Sequence, residues 1–385
     1  MNKIGQIRPA GGNHTHVSVV VDAMPLLLRS AGVKTYVYHW TRSLAAAAGA
    51  RRLSLFPFLD KLRAFTHEFS VLPPAETWMR LGLLHTANLC PYPILDWIVP
   101  ECDVFHVSHQ VQHPPRKVRL TSTIYDMTCW LMPELHSAGN VKASGHVGER
   151  TFRAADGLIA ISECTRSDAV RLLGIRPEKI EVIYPGIAPE FFTAERAASL
   201  EVRRYGLTKP YVLFVGTLEP RKNLGMLVEA WEGLSREMRD EFDLAIAGSW
   251  GWGDRAIYER LRAGVPGVRY LGYVPERDLP ALTGAATAFV YVSLYEGFGL
   301  PVGQAMAAGA PVVASGVSSI PEVTGDSALL VDPHSAGDIR SAMARLLGSQ
   351  SLQDELSKRG RLRAREFTWE TCAKKSWDFF ERVAS

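Results

Sequence analysis

A segment around Glu296 combines a carboxylate, two glycines and the start of a helix. The apolar run 288–293 is typical of a buried strand, and Glu296, Gly297 and Gly299 follow it. Glycines let the backbone approach a ligand closely, and the N–H groups of a helix start can hold an anion. Because a carboxylate is a poor neighbour for an anion, we expect Glu296 to hold neutral groups such as sugar hydroxyls. A tight turn with a solvated glutamate is the alternative for this spacing alone.

Two adjacent cations, Arg221 and Lys222, follow another apolar run at 211–216. A guanidinium forms paired hydrogen bonds with a phosphate, and lysine adds a compact positive charge. Parallel strands end at one edge of a sheet, where α/β folds bind ligands, so both cations are expected near Glu296. A solvated surface pair is the alternative. Gly32, before a helical pattern in the first half, is a weaker signal of the same kind.

The elements that must position these residues are short apolar runs rich in Val and Ile, alternating with segments of helical spacing. Such runs indicate strands of parallel sheets covered on both faces, and the alternation predicts doubly wound α/β domains. Helices are predicted at 223–239, 254–263 and 276–285, whereas 51–100 shows no clear pattern. The predicted strands are 17–22, 103–108, 121–126, 157–162, 181–185, 211–216, 243–248, 268–273, 288–293, 311–314 and 328–331.

Length and composition indicate two globular domains without a nucleic-acid partner. The 385 residues suit two domains, and a charged segment at 195–204 places the boundary after residue 187. A net charge of +3 gives no broad positive field for nucleic acid. Five scattered cysteines argue against disulfides and structural zinc, and no apolar run is long enough for a membrane span. A cytoplasmic protein is expected.

The stretch 78–99 is rich in Trp, Leu, Tyr and Ile. Core packing explains such a stretch most simply. A peripheral membrane contact is the alternative, and it requires one helical face to be apolar.

Together these motifs resemble the family-4 glycosyltransferases of the GT-B fold, which use nucleotide sugars. The specific matches are Gly-Thr-Leu-Glu-Pro-Arg-Lys-Asn-Leu at 216–224, Leu-Gly-Tyr-Val-Pro at 271–275, Tyr-Glu-Gly-Phe-Gly-Leu-Pro at 295–301, Ala-Gly-Ala-Pro-Val-Val-Ala-Ser at 308–315 and Ile-Pro-Glu-Val at 320–323. Weaker matches lie at 30–33, 124–127, 161–163 and 182–187.

The resemblance implies two Rossmann-like domains facing across a cleft. Residues 1–187 would bind the acceptor, which would be a saccharide, a lipid-linked saccharide or a small molecule, and residues 188–366 would bind the nucleotide-sugar donor. Residues 367–385 would form a helix that crosses back to the first domain. The implied donor contacts are Arg221 and Lys222 to the diphosphate, Glu296 to sugar hydroxyls, the backbone of Gly297, Phe298, Gly299 and Leu300 to sugar and phosphate, Tyr273 and Val274 to the base, and Gly32 to the diphosphate from across the cleft.

Two positions depart from the family pattern. Gln304 stands where a second glutamate is usual, and its amide can still bond ribose hydroxyls. Tyr125 replaces a histidine, followed by Asp126, which we place near the sugar.

The implied reaction is retaining transfer with front-face departure of the nucleoside diphosphate. The donor would be GDP-mannose or a UDP-sugar. No two aspartates stand two apart, so the Asp-x-Asp metal site of other glycosyltransferases is missing and neither a metal nor another cofactor is expected.

Two other functions stay open at this stage. Gly251, Gly253 and Ala256 match the G-x-G-x-x-A spacing of an NAD-dependent oxidoreductase, although the ribose-binding acid is missing after the next strand. The replacements at 125 and 304 also suit a catalytically silent protein that only binds nucleotide sugars.

Overall fold

The computed structural model describes residues 16–30, 32–59, 65–90, 92, 94–109, 111–194, 200–253 and 255–385. These residues form two six-stranded sheets in which all neighbouring strands are parallel. The strands are β1 (Ser18–Asp22), β2 (Arg52–Phe56), β3 (Val104–Val107), β4 (Arg119–Ile124), β5 (Gly157–Ala160), β6 (Ile180–Val182), β7 (Tyr211–Val215), β8 (Asp243–Ala247), β9 (Val268–Gly272), β10 (Ala288–Tyr291), β11 (Val312–Ser315) and β12 (Ala328–Val331).

Helices connect these strands. In the first half they are α1 (Gly32–Ala46), α2 (Pro74–Leu89), α3 (Leu95–Ile98), α4 (Thr128–Leu131), α5 (Ala138–Ala143), α6 (Glu149–Ala154) and α7 (Glu163–Leu173). In the second half they are α8 (Pro189–Phe192), α9 (Leu200–Arg203), α10 (Leu224–Glu232), α11 (Arg236–Glu241), α12 (Arg255–Ala263), α13 (Leu279–Gly284), α14 (Leu300–Ala308), α15 (Ile320–Thr324), α16 (Ala336–Leu347), α17 (Gln350–Ala364) and α18 (Trp369–Ala384).

The strand order of each sheet locates a crevice for ligands. The first sheet runs β2-β1-β3-β4-β5-β6, and the second runs β12-β11-β10-β7-β8-β9. The order reverses between β1 and β3 in the first sheet and between β7 and β10 in the second. In doubly wound sheets the crevice lies at the carboxyl ends of the strands on either side of this switch point. The predicted α/β class and doubly wound sheets are confirmed.

Most predicted strands are present, because central parallel strands are continuous apolar runs. β2 was not predicted, since it is an edge strand on which exposed and half-buried residues alternate. The helix predicted at 223–239 is wrong in one respect, because Gly233 ends α10 and α11 begins at Arg236. The boundary predicted after residue 187 falls between the two sheets.

The chain returns from the second half to the first through α18. The indole of Trp40 on α1 donates to Ser376 Oγ at 2.9 Å, and that of Trp377 donates to the Leu44 carbonyl at 3.0 Å. A Cβ at residue 186 would overlap the backbone of Trp369, so the segment that follows β6 contacts the start of α18 there. None of the helices in the described ranges is long and apolar enough to cross a bilayer.

Candidate active site

A tight turn after β7 brings the two predicted cations to the end of β10. Residues Pro220–Lys222 form a 3-10 turn that closes on Asn223, which has a left-handed φ of 59°. The Asn223 amide donates to the carbonyls of Val292 at 3.1 Å and Pro333 at 2.7 Å. The turn is therefore pinned to the neighbouring strand of the switch point, and Arg221 and Lys222 point at one place.

Glu296 pairs with both cations, as their common position at the sheet edge requires. Lys222 Nζ lies 2.6 Å from Glu296 Oε1, and Arg221 Nη1 lies 3.0 Å from Oε2. Lys222 also donates to the Tyr291 hydroxyl at 2.7 Å, while Arg221 Nη2 donates to Glu219 at 2.6 Å. The alternative of solvated charges at Glu296 and at the cations is wrong, since Glu296 and Lys222 are only 7% and 8% exposed.

The ion pairs keep Glu296 and Arg221 charged despite their burial, whereas burial and the neighbouring Arg221 lower the pKa of Lys222. Burial raises the pKa of Glu296, but Arg221 and Lys222 together outweigh it and hold the pKa at about 2. Burial lowers the pKa of Arg221, whereas Glu296, Glu219 and Asp126 raise it by more. Arg221 Nε is buried and has no partner in the described part of the chain. One donor of the guanidinium thus stays available to an anionic ligand.

The helix after Glu296 begins at the same point. Gly299 has a φ of 87°, and a Cβ there would overlap Ile320, so only glycine fits the turn into α14. No side chain caps the N-terminus of α14. Pro301 has no N–H, and the N–H groups of Val302 and Gly303 donate to the Gly299 carbonyl, which leaves the Leu300 N–H for a ligand. The ring of Phe298 instead packs against Tyr184 and Phe367, so Phe298 can offer only its backbone to the site.

The glycine loop touches the first half of the molecule directly. A Cβ at residue 297 would overlap the carbonyl oxygen of Tyr125, and Thr165 Oγ1 donates to the Gly297 carbonyl at 3.2 Å. Asp126 lies beside this contact, where it accepts from the N–H and hydroxyl of Thr128 and raises the pKa of Arg221. The structure thus brings Asp126 to the predicted cluster.

Further bonds hold the two halves together around this contact. Glu322 accepts from the N–H groups of Glu163 and Cys164 at the start of α7, at 2.7 and 3.2 Å. The Tyr295 hydroxyl donates to Asp168 at 2.6 Å. Both bonds join segments more than a hundred residues apart. The carboxyl edges of the two sheets therefore face each other closely.

Four predicted donor contacts lie away from the charged cluster. The Tyr273 hydroxyl donates to Glu276 and approaches Thr66 of the first half, and Val274 is buried. Gly32 is the exposed first residue of α1, and a Cβ there would meet open space. Gln304 is half-buried on α14. Their predicted contacts with base, diphosphate and ribose remain predictions.

A second polar cluster, not predicted from the sequence, lies at the switch point between β1 and β3. Asp22 is fully buried and accepts from the N–H groups of Met24 and His109, both at 3.1 Å. Burial raises the pKa of Asp22 to about 6, which the backbone bonds only partly offset. Ser108 Oγ, His109 Nδ1 and the Tyr125 hydroxyl are buried without a partner among the described residues. Buried polar atoms normally have partners, so these await a polar ligand.

One signal in the sequence identifies this cluster. Asp22 and Ser108 each end an apolar run predicted to be a strand, as Glu296 and Arg221 follow one. In both halves, therefore, the polar cluster lies at the carboxyl ends of parallel strands, where α/β folds bind ligands.

The loop with the dinucleotide-like spacing serves packing. The Gly251 N–H donates to the Leu218 carbonyl at 3.0 Å, and a Cβ at Gly253 would overlap Pro220. The glycines let this loop lie against the turn that carries Arg221. Within the described ranges, no group of three or more His, Cys, Asp or Glu side chains is placed to hold a metal ion.

Comparisons with known proteins agree with this architecture. The profile described as "Glycosyltransferase Family 4" matches residues 30–191, and that described as "Glycosyl transferases group 1" matches 198–363. O-antigen chain mannosyltransferase B of Escherichia coli is 35% identical over 263 residues, which cover 67% of this chain and 69% of that protein. The chain spans only 28% or 29% of the serotype-specific mannosyltransferases of the same species.

Solved structures show the fold. Sucrose-phosphate synthase of Thermosynechococcus elongatus has a TM-score of 0.68 at 20% identity, covering 96% of this chain and 99% of that one. HepE of Anabaena, in complex with UDP-glucose, has a TM-score of 0.68 at 17% identity, covering 95% and 100%. The predicted GT-B arrangement of two facing sheets is confirmed.

Proposed function

The chain belongs to glycosyltransferase family 4, and on that premise we propose that it moves a sugar from a nucleoside-diphosphate sugar to a saccharide acceptor, with retention of configuration. Because it belongs to this family, the alternative function as an NAD-dependent oxidoreductase is rejected. The observation that carries the proposal is the pairing of Glu296 with Arg221 and Lys222 beside the uncapped start of α14. This cluster supplies both an acceptor for sugar hydroxyls and donors for a diphosphate.

In the proposed donor complex, the cations and the helix start stabilise charge on the leaving group. Arg221 Nε and the Leu300 N–H at the start of α14 bind the diphosphate, on which negative charge grows as its bond to the sugar breaks. Glu296 is held by two ion pairs, so its orientation is fixed before the sugar arrives. Protein cations thus take the place of a metal in this proposal.

The anomeric configuration is retained if the acceptor oxygen and the departing phosphate oxygen lie on the same face of the sugar. Asp22, Ser108 and Tyr125 lie on the acceptor side, and the Tyr125 carbonyl touches Gly297 of the donor loop. We place the acceptor hydroxyl there. Its oxygen bonds to the sugar carbon as the phosphate oxygen leaves, and its proton passes to that departing oxygen. No protein nucleophile takes part in this scheme.

GDP-mannose is the proposed donor, and a UDP-sugar is the alternative. Support comes from the relative named as an O-antigen chain mannosyltransferase, which also supports a growing polysaccharide, free or lipid-linked, as the acceptor. We place the enzyme in the cytoplasm, at the face of the membrane when the acceptor is lipid-linked.

Nucleotide screening tests this proposal at the donor site. Thermal unfolding is measured with GDP, UDP and NAD, since a ligand at a hundred times its Kd adds about 2.7 kcal/mol of stability. We expect stabilisation by GDP and none by NAD, and stabilisation by UDP alone would reassign the donor.

Product analysis tests the reaction itself. NMR of the product from GDP-mannose and a mannosyl acceptor should show an α-glycoside. A β-glycoside would mean inversion, with Asp126 acting as general base. Binding of GDP without any transfer or donor hydrolysis would identify the silent binding protein instead.

A further inference from the structure

Helix α2 exposes apolar side chains on the face where a surface helix normally carries charges. Trp78 is 75% exposed and is accompanied by Met79 and Leu89, while Thr77, Leu84 and Ala87 face the core. All of α2 is described, and Glu76 in the first turn is the one Asp, Glu, Lys or Arg among its exposed residues. Core packing, predicted for the stretch 78–99, therefore accounts for only one side of this helix.

The exposed aromatic residues continue beyond α2. Tyr92 is exposed, and Trp97 on α3 is 76% exposed. The end of α2 and the start of α3 are tied to the loop after β3, because Asn88 accepts from the Gln112 N–H and Asp96 accepts from the Arg116 N–H. We call Trp78, Met79, Leu89, Tyr92 and Trp97 the aromatic surface. Large exposed apolar patches of this kind mark interaction sites.

A basic region adjoins the aromatic surface through the same loop. A cavity of about 360 Å³ is lined by Gln112, Lys142, His146 and Arg150 among others, and Arg150 donates to the Gln112 carbonyl. Lys142, His146 and Arg150 stand four residues apart along a helix whose middle turn, Ser144–Gly148, is π-helical. All three are exposed, and none forms an ion pair with a described residue. We call them the basic surface.

We propose that the aromatic and basic surfaces together bind a membrane that carries phosphate-bearing anionic headgroups. Tryptophan and tyrosine favour the interface between headgroups and acyl chains, and lysine and arginine beside them attract anionic lipids. Unpaired cations around an open cavity suit phosphate groups in particular.

Docking in this way brings the acceptor-side switch point to the lipid. The loop that carries Gln112 and Arg116 continues from β3, whose carboxyl end holds Ser108 and His109. A saccharide carried on a lipid phosphate would reach the cluster around Asp22 while its lipid stays in the membrane. This last step rests on the proposed function, whereas the membrane contact itself does not.

Vesicle sedimentation tests the proposal with the full chain. Vesicles of phosphatidylcholine with and without phosphatidylglycerol are compared at low and high salt. The variants are Trp78→Ala with Trp97→Ala, and Lys142→Ala with Arg150→Ala. A matched control changes Leu362→Ala and Lys358→Ala, which are exposed on α17. Calorimetric titration with GDP and thermal unfolding check the fold and donor site of every variant.

We expect binding to anionic vesicles that weakens with salt, and a loss of about tenfold or more in both double variants. The control should bind as the unaltered protein does, and GDP affinity should not change in any variant. Failure of the unaltered protein to bind anionic vesicles, or full binding by both double variants, would overturn the proposal. Equal binding to uncharged vesicles would overturn the role of the basic surface. Failure to bind GDP with vesicle binding intact would instead count against the proposed function.

Discussion

At the switch point between β7 and β10 each cation forms an ion pair with a carboxylate, whereas at the switch point between β1 and β3 several buried polar atoms have no hydrogen-bond partner among the described residues. Glu296 lies between Arg221 and Lys222 with its pKa held at about 2. Asp22 lies at the matching place in the first sheet, where burial raises its pKa to about 6. The same fold position therefore carries a carboxylate with two ion pairs in one half and, in the other, a buried carboxyl group that has backbone hydrogen bonds but no ion pair with a described residue.

The difference suits two different ligands. A diphosphate carries charge, so a site with fixed cations and a helix start stabilises it. An acceptor hydroxyl carries none, so Ser108 Oγ, His109 Nδ1 and the Tyr125 hydroxyl can recognise it by hydrogen bonds alone. In the proposed function the donor binds at the second sheet and the acceptor at the first, and four changes sharpen or break this comparison.

Removal of Glu296 should have the largest effect. Glu296→Ala is expected to lower turnover about a hundredfold or more, because the contacts to the sugar matter most in the transition state. It should also lower the free energy of unfolding by about 3–5 kcal/mol, since two buried cations lose their shared counter-ion. Initial rates and denaturant unfolding measure the two effects.

Nucleoside diphosphate affinity separates sugar contacts from diphosphate contacts in this variant. Because the cations remain, Glu296→Ala should still bind GDP, and Glu219→Gln serves as a control that removes the other carboxylate paired with Arg221. Near-normal turnover in Glu296→Ala would show that the sugar lies elsewhere.

Asp22→Asn should change how stability depends on pH. The raised pKa of Asp22 means that its contribution to stability is complete below about pH 4 and is lost as the pH rises through about 6. The variant lacks this loss, so its stability relative to the unaltered protein should increase by roughly 2–3 kcal/mol from pH 4 to 7. Glu296 behaves in the opposite sense, since its depressed pKa adds stability that is lost only as the pH falls from about 4.5 towards 2. A pH-independent difference for Asp22→Asn would mean that Asp22 is charged like Glu296.

Tyr125→Phe should have a smaller and selective effect. The hydroxyl has no hydrogen-bond partner among the described residues, so its removal should leave the free energy of unfolding almost unchanged. If it bonds the acceptor, the acceptor KM should rise about fivefold, the equivalent of one hydrogen bond, while the donor KM stays constant. A rise in the donor KM alone would move Tyr125 to the donor site.

Metal removal should have no effect. In the proposed donor complex Arg221 and Lys222 take the place of a metal on the leaving diphosphate, so turnover should survive EDTA. Loss of turnover in EDTA that magnesium or manganese restores would contradict this. Full turnover in EDTA, combined with loss on Arg221→Ala, would tie the metal-free reaction to the cations.

The fold could be predicted because eight of the twelve strands are central in their sheets and most of these are apolar runs. The edge strand β2 could not be predicted, because Arg52 and Ser54 interrupt its apolar pattern. Among site residues, Glu296, Arg221 and Lys222 followed from strand ends and from motifs. Their mutual ion pairs could not be predicted, because Lys222 lies 74 residues from Glu296 and only the strand order brings the two cations to this carboxylate.

The first-half cluster was missed for a related reason. Polar residues at strand ends are common, and only burial without hydrogen-bond partners distinguishes Ser108 and Tyr125 from ordinary ones. The contact of Gly297 with the Tyr125 carbonyl likewise depends on how the two halves meet. Neither property is local in the sequence.

Calorimetric titration of GDP into Arg221→Ala and Ser108→Ala tests the division between donor and acceptor sites most directly. The two variants each remove one side chain at a switch point, and the assay requires no knowledge of the acceptor. We predict that Arg221→Ala weakens GDP binding about tenfold or more, because a charged hydrogen bond contributes about 1.5–3 kcal/mol, and that Ser108→Ala binds as the unaltered protein does. Equal weakening in both variants, or normal binding by Arg221→Ala, would contradict that division.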